Sequence, residues 1–139
     1  LADYYINIDG SSRRNPGPAG IGVAICNADG QVVKEISHSI GVRTNNQAEY
    51  EALLCALREC GRLTGSAVVR TDSELLYYQM TGHYRVKEPG LKPLNAEAKR
   101  LLAGLPAVRL ELVRREQNKA PDKLARAASE RAGESADAG

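Results

Sequence analysis

A chain of 139 residues, 42% hydrophobic and 26% charged, has the size and balance of one folded domain, which excludes a disordered or fibrous protein. Its net charge of +2 is too small to identify a nucleic-acid partner, so any such assignment has to rest on a site. No apolar run reaches the ~18 residues of a membrane span, and the opening LADYYINIDG lacks the layout of a signal peptide, so a cytoplasmic protein without a membrane partner is expected.

The segment YYINID alternates, with Tyr4, Ile6 and Ile8 on one side and Tyr5, Asn7 and Asp9 on the other, which predicts a strand ending at Asp9. GSSRRNPGPAG then reads as a turn. IGVAICNADGQVVKEISHSIG reads as a hairpin closed at Asp29-Gly30. Thr44, Asn45 or Asn46 caps a predicted helix over 47–60, whose stripe is Ala48, Leu53, Ala56, Leu57 and Cys60, and Gly61 stops it. Cys26, Cys55 and Cys60 are odd in number and lack metal-ligand spacing, so they read as free packing thiols in a reducing compartment. Residues 67–71 predict a strand ending at Asp72, SELLYYQM a short helix, and TGHYRVKEPGLKP a loop. A helix over 94–103, a strand over 108–114 and a helix over 122–132 follow. Residues 133–139 read as a disordered tail or a cut linker beyond a domain spanning 1–132. The order βββαβααβα predicts an α/β fold with helices on a mixed sheet.

Most of the 17 acidic residues must be solvated, so a carboxylate is informative only where its position is awkward. Asp9 and Asp72 each end a strand; alone, Asp72 reads equally well as the cap of the helix that follows. Glu49 lies on the same helical face as Leu53, Ala56 and Cys60, at i+4, i+7 and i+11. That face should pack on the sheet, where an uncompensated carboxylate costs several kcal/mol. Asp122, following a proline at a helix start, reads first as a cap. Acidic oxygens converging without His or Cys make a hard-ligand site, suited to Mg²⁺ or Mn²⁺, and two such ions support in-line phosphodiester hydrolysis.

Taken together, IDGSSRRNPGPAGIG, TNNQAEYEAL, RTDSELL and REQNKAPDKLA resemble the type 1 ribonuclease H family in order and spacing, over about residues 4 to 130. The resemblance implies the ribonuclease H-like fold, a five-stranded mixed sheet flanked by helices. It also implies hydrolysis of the RNA strand of an RNA/DNA hybrid, leaving 3′-hydroxyl and 5′-phosphate ends. Asp9, Glu49, Asp72 and Asp122 match the family's catalytic, metal-binding acids, which hold two ions. Asn15, Asn45 and Asn46 match amides that sense 2′-hydroxyls, and Thr44 matches a residue that holds a phosphate of the DNA strand. Ser11 and Ser73, flanking the acids, are expected to donate to the nucleic-acid backbone. A monomer without an obligate protein partner is expected.

Three departures stand out. The Trp- and Lys-rich protrusion of the best-known bacterial members is absent, leaving Tyr84, Arg85 and Lys87 as candidates for grip, or a plain solvated loop. The loop that presents a His before the last acid is missing, and neither His38 nor His83 is placed to substitute. That leaves water, Arg115 or Glu116 for proton transfer or product release. Glu74 stands where many relatives carry an amide. The compact layout resembles archaeal and actinobacterial members. A catalytically dead relative would be expected to lack an acid, and a DNA-cutting relative has no use for a 2′-hydroxyl reader.

Overall fold

The structure is a computed structural model that describes residues 1–138; Gly139, the last residue of the expected tail, lies outside the described residues. The chain forms β1 (Tyr4–Ser12), β2 (Gly17–Asn27), β3 (Val32–Arg43), α1 (Asn45–Cys60), β4 (Ala67–Thr71), α2 (Glu74–Met80), α3 (Lys92–Ala103), β5 (Val108–Leu112) and α4 (Lys119–Ala138), with a 3-10 turn at Arg115–Gln117 before α4. The strands make one sheet in the order β3-β2-β1-β4-β5. β1, β2 and β3 run antiparallel, whereas β4 and β5 join parallel to β1, giving the expected mixed sheet.

The alternation read from β1 sets the layers. Ile6 and Ile8 are buried and join Val23, Ile25 and Val69 beneath the apolar stripe of α1, where Leu53, Ala56, Leu57 and Cys60 are covered. Burying each of these large aliphatic side chains contributes roughly 2 kcal/mol. A buried polar chain ties the helices on this face together: Tyr50 Oη donates to Gln79 Oε1 at 2.7 Å and accepts from Asn95 Nδ2 at 3.0 Å. On the opposite face α4 lies on β2 and β3, where Ser37 and Ser39 donate to the Leu124 and Ala128 carbonyls at 2.7 Å each. All three thiols are free, Cys60 being buried and Cys26 and Cys55 half-buried.

Several local expectations need correction. β1 does not stop at Asp9 but runs on to Ser12, paired with β2 alone, because its ladder to β4 ends at Asn7–Arg70. The turn between β1 and β2 is thereby shortened to residues 13–16. α4 begins three residues before Asp122, so Asp122 lies in its first turn and is not the cap. α4 also continues to Ala138, through most of the stretch expected to be a disordered tail or linker. Its run of Ala, Glu and Arg has high intrinsic helix propensity, and Ala125 and Ala128 anchor its earlier turns on the sheet. The hairpin turn is as expected: Asn27 Oδ1 accepts from the Asp29 and Gln31 amides, and Gly30 adopts φ 83°.

Candidate active site

Two glycines let helices meet the sheet at the point where Asp9 sits. On the α1 face, a Cβ at Gly10 would stand 2.2 Å from the Ala48 carbonyl carbon and 2.4 Å from the Glu49 nitrogen. On the α4 face, a Cβ at Gly22, the partner of Asp9 across the β1–β2 ladder, would stand 2.1 Å from the Pro121 carbonyl oxygen. Glu49 is therefore carried to the sheet by an α1 backbone that touches β1, and Asp122 by an α4 backbone that touches β2 beside Asp9.

The start of α1 is fixed by a capping box, in which Thr44 Oγ1 accepts from the Gln47 amide at 3.1 Å and Gln47 Oε1 accepts from the Thr44 amide at 2.9 Å. Beyond the end of β4, the Gly10 amide donates to Glu49 Oε1 at 2.5 Å. Asp72 follows β4, and the cap of α2 is Ser73, whose Oγ accepts from the Leu76 amide; the reading of Asp72 as that cap is set aside. One ligand oxygen from each of Asp9, Glu49 and Asp72 lies within 4.8 Å of the others.

These three acids line one cleft of about 460 Å³ together with Gly10, Ser11, Asn45, Ser73, Glu74, Arg115, Asp122 and Arg126. Asp122 thus borders the cleft without entering the tight triangle, and its carboxylate pairs with Arg126 Nε at 3.2 Å. Asn15 is joined to the cleft through Asn45: Asn15 Oδ1 accepts from the Asn45 amide at 3.0 Å, and Asn45 Oδ1 accepts from the Ser12 amide at 2.9 Å. Each of these amides has its oxygen engaged, and neither Nδ2 has a protein acceptor among the described residues. Thr44 and Asn46 sit on the adjoining first turn of α1, outside the cleft lining. His38 is exposed on β3 and His83 packs against Tyr78 at 5.8 Å; neither lines the cleft.

The electrostatics of the triangle are unfavourable without a counter-charge. Burial first, and then the neighbouring Glu49 charge, push the Asp9 carboxyl far above the ordinary carboxylate range. Burial also raises Glu49, opposed by hydrogen bonds from Asp9 and the Gly10 amide. Burial raises Asp72 as well, opposed by Asn118 and Arg115. Asp9 and Glu49 thus share a buried site in which both carboxyls are pushed towards the protonated form. A cluster that retains a proton in this way is suited to exchange it for a divalent cation, and an all-carboxylate donor set fits Mg²⁺ or Mn²⁺.

Sequence reasoning missed two residues here. Arg126, one turn after Asp122, reads as an ordinary i,i+4 partner on a solvated face, and nothing in the sequence shows that its pair borders a cleft. Asn118 reads as a loop residue before the last helix. In the structure it is fully buried, and its Nδ2 donates to the Ile8 carbonyl at 2.7 Å and to Asp72 Oδ2 at 3.3 Å.

Comparison with known proteins agrees with the fold. The family described as Reverse transcriptase-like matches residues 7–128. The bifunctional protein Rv2228c of Mycobacterium tuberculosis is 40% identical over 133 residues, 94% of this chain; the chain spans only 36% of that relative's length. The structure of the N-terminal RNase H domain of Rv2228c, solved as a maltose-binding-protein fusion, matches with a TM-score of 0.90 at 38% identity, covering 98% of this chain and 99% of that one. LC11-RNase H1, isolated from compost by a metagenomic approach and solved in complex with an RNA/DNA hybrid, matches with a TM-score of 0.86 at 40% identity, covering 93% and 98%. Matched over most of its length by the family and by both structures, the chain belongs to the type 1 ribonuclease H family.

Proposed function

We propose that this chain is an endoribonuclease that hydrolyses the RNA strand of RNA/DNA hybrids with two divalent ions, leaving 3′-hydroxyl and 5′-phosphate ends. The observation that carries this reading is the convergence of Asp9, Glu49 and Asp72 within 4.8 Å, with Asp122 on the rim of the same cleft. When bound, Mg²⁺ or Mn²⁺ would supply an activated water and neutralise charge developing on the scissile phosphate. Asp9, Glu49 and Asp72 would hold the ions, and Asp122 would complete the set after parting from Arg126.

The hybrid specificity rests on Asn15, Asn45 and Asn46. The Nδ2 groups of Asn15 and Asn45 remain available to donate to 2′-hydroxyls while their oxygens lock the loop to α1. Thr44 would hold a DNA-strand phosphate through its exposed side, and Ser11 and Ser73, both in the cleft, would donate to the backbone of the RNA strand. Of the two side chains expected to replace the histidine, Arg115 lines the cleft and Glu116 does not, so Arg115 is the one we assign to product release. Past α2, Tyr84 packs on Tyr78 at 5.0 Å yet stays 47% exposed beside Arg85 and Lys87; this surface would grip the substrate in place of the absent protrusion. Among the described residues no helix is long and apolar enough to cross a membrane, and the three free thiols fit a reducing compartment such as the cytoplasm.

Incubation with labelled RNA/DNA hybrid, double-stranded RNA and double-stranded DNA, each with Mg²⁺, Mn²⁺ or EDTA, tests this reading. Cleavage of the RNA strand of the hybrid alone, abolished by EDTA, is expected. Equal cleavage of double-stranded DNA would overturn it.

A further inference from the structure

Asn118 occupies the position before the first residue of α4, where an asparagine ordinarily turns its side chain to cap the helix. Here the side chain turns inward instead. It is fully buried, and a buried amide costs about 1 to 3 kcal/mol unless its polar atoms are satisfied. Both are: Nδ2 donates to the Ile8 carbonyl at 2.7 Å and to Asp72 Oδ2 at 3.3 Å, and Oδ1 accepts from Asn7 Nδ2 at 3.1 Å. Its main chain is engaged too, the amide donating to the Arg115 carbonyl at 3.0 Å and the carbonyl accepting from the Asp122 amide at 3.3 Å.

The partners of this one residue lie next to three of the four acids. Ile8 precedes Asp9 on β1, Asp72 is itself an acid, and Asp122 is held through its own backbone. Glu49 is held separately, by the Gly10 amide. A residue serving only to seal the helix start would need neither the Asp72 bond nor the Asn7 bond. A residue serving only to pack would be apolar.

We propose that Asn118 is the positioning residue of the metal site, fixing the Asp72 carboxylate and the start of α4 against β1 so that the acids stand ready for a cation. This rests on the metal-nuclease reading above and deepens it. By engaging Asp72 Oδ2, the amide holds the carboxylate in one orientation and leaves Oδ1 for a cation. Groups that orient a metal ligand in this manner typically change metal affinity or activity about 10- to 100-fold when removed.

The test is calorimetric titration of Mn²⁺ into the free protein without nucleic acid, with melting in EDTA and hybrid cleavage against Mg²⁺ concentration alongside. Asn118→Ala should weaken Mn²⁺ binding about 10- to 100-fold and shift the Mg²⁺ midpoint of cleavage upward by a similar factor. Asn118→Asp keeps the size and the acceptor for Asn7 but loses both donors. It should bind Mn²⁺ no more tightly than Asn118→Ala, although it adds a negative charge. Should both variants fail to fold, Asn7→Ala leaves the bonds of Asn118 Nδ2 in place and removes the bond that steadies its amide oxygen, together with a 3.4 Å bond to the Gln117 carbonyl, and should weaken Mn²⁺ binding about threefold to tenfold. Folded variants that melt lower yet bind Mn²⁺ within about threefold of wild type would overturn the proposal, as would tighter binding by Asn118→Asp. Wild-type protein that binds no Mn²⁺ would overturn the metal-site reading itself.

Discussion

Gly22→Ala tests whether close contact between α4 and the sheet is what places Asp122. The added Cβ would stand 2.1 Å from the Pro121 carbonyl oxygen, 2.7 Å from the Ala125 nitrogen and 2.8 Å from the Leu124 Cβ. An ordinary carbon–oxygen contact is about 3.2 to 3.5 Å, so backbone must yield by roughly 1 Å; both clashing partners at closest range are main-chain atoms that no rotamer change can move. Asp122 follows Pro121 directly and moves with it. Overpacking of this kind costs about 1 to 3 kcal/mol of stability. A shift of about 1 Å in a reacting geometry costs on the order of 100-fold in rate, or about 2.7 kcal/mol. Gly30→Ala is the matched control: nothing lies within 4 Å of its Cβ, but φ at 83° strains any side chain there by about 1 to 2 kcal/mol, far from the cleft. Hybrid cleavage under saturating Mg²⁺ and thermal melting of both variants separate the two effects. Both should melt lower, and only Gly22→Ala should lose turnover. Equal activity in the two variants would refute the claim that this contact sets the position of Asp122.

Further outcomes follow from the protonation of the acids. Folded Asp9, Glu49 and Asp72 bind protons more tightly than they do unfolded, so the folded state holds more protons above the unfolded values near 4. Metal-free stability should therefore be highest near pH 4 and fall as pH rises through about 7, where Glu49 titrates, towards about 10, where Asp9 does, read as melting temperature in EDTA; a rise over that range would contradict the assigned shifts. Mg²⁺ should reverse this slope and release protons on binding, which calorimetry in buffers of different ionisation enthalpy detects. Asp9→Asn replaces the crowded titratable carboxyl with a neutral group of the same size, so it should raise the melting temperature in EDTA slightly and flatten its pH dependence; a large fall would show Asp9 to be structural. Replacing Tyr84, Arg85 and Lys87 together with Ala should raise the KM for hybrid several-fold at unchanged kcat, and an unchanged KM would return that loop to plain solvated surface.

Much of this architecture is legible in local pattern. The alternation of β1 assigned its faces, the i+4 and i+7 spacing put Glu49 on the packed side of α1, and Asp29-Gly30 marked the hairpin turn. What escaped depends on where neighbouring elements end. Asp9 lies inside a strand because β2 continues to pair past the point where β4 stops, and no property of YYINIDGSS reports the length of β4. Asn118 carries the same side chain whether it caps a helix or binds Asp72, and only the approach of β1 decides between the two. The tail read as disordered from its small polar residues, yet the same Ala and Glu content favours helix once α4 is anchored on β2 and β3.

The central claim is that the acid triangle performs metal-dependent hydrolysis of RNA paired to DNA, and single-turnover cleavage of a 5′-labelled RNA/DNA hybrid by wild type and Asp9→Asn tests it most directly. With Mg²⁺ present and both proteins shown to bind the hybrid, wild type should cut the RNA strand to 3′-hydroxyl products, while Asp9→Asn should be slower by at least about 1000-fold, as expected for loss of a ligand to the reacting ions. Cleavage by Asp9→Asn within about tenfold of wild type, or wild-type cleavage that persists in EDTA, would contradict the account.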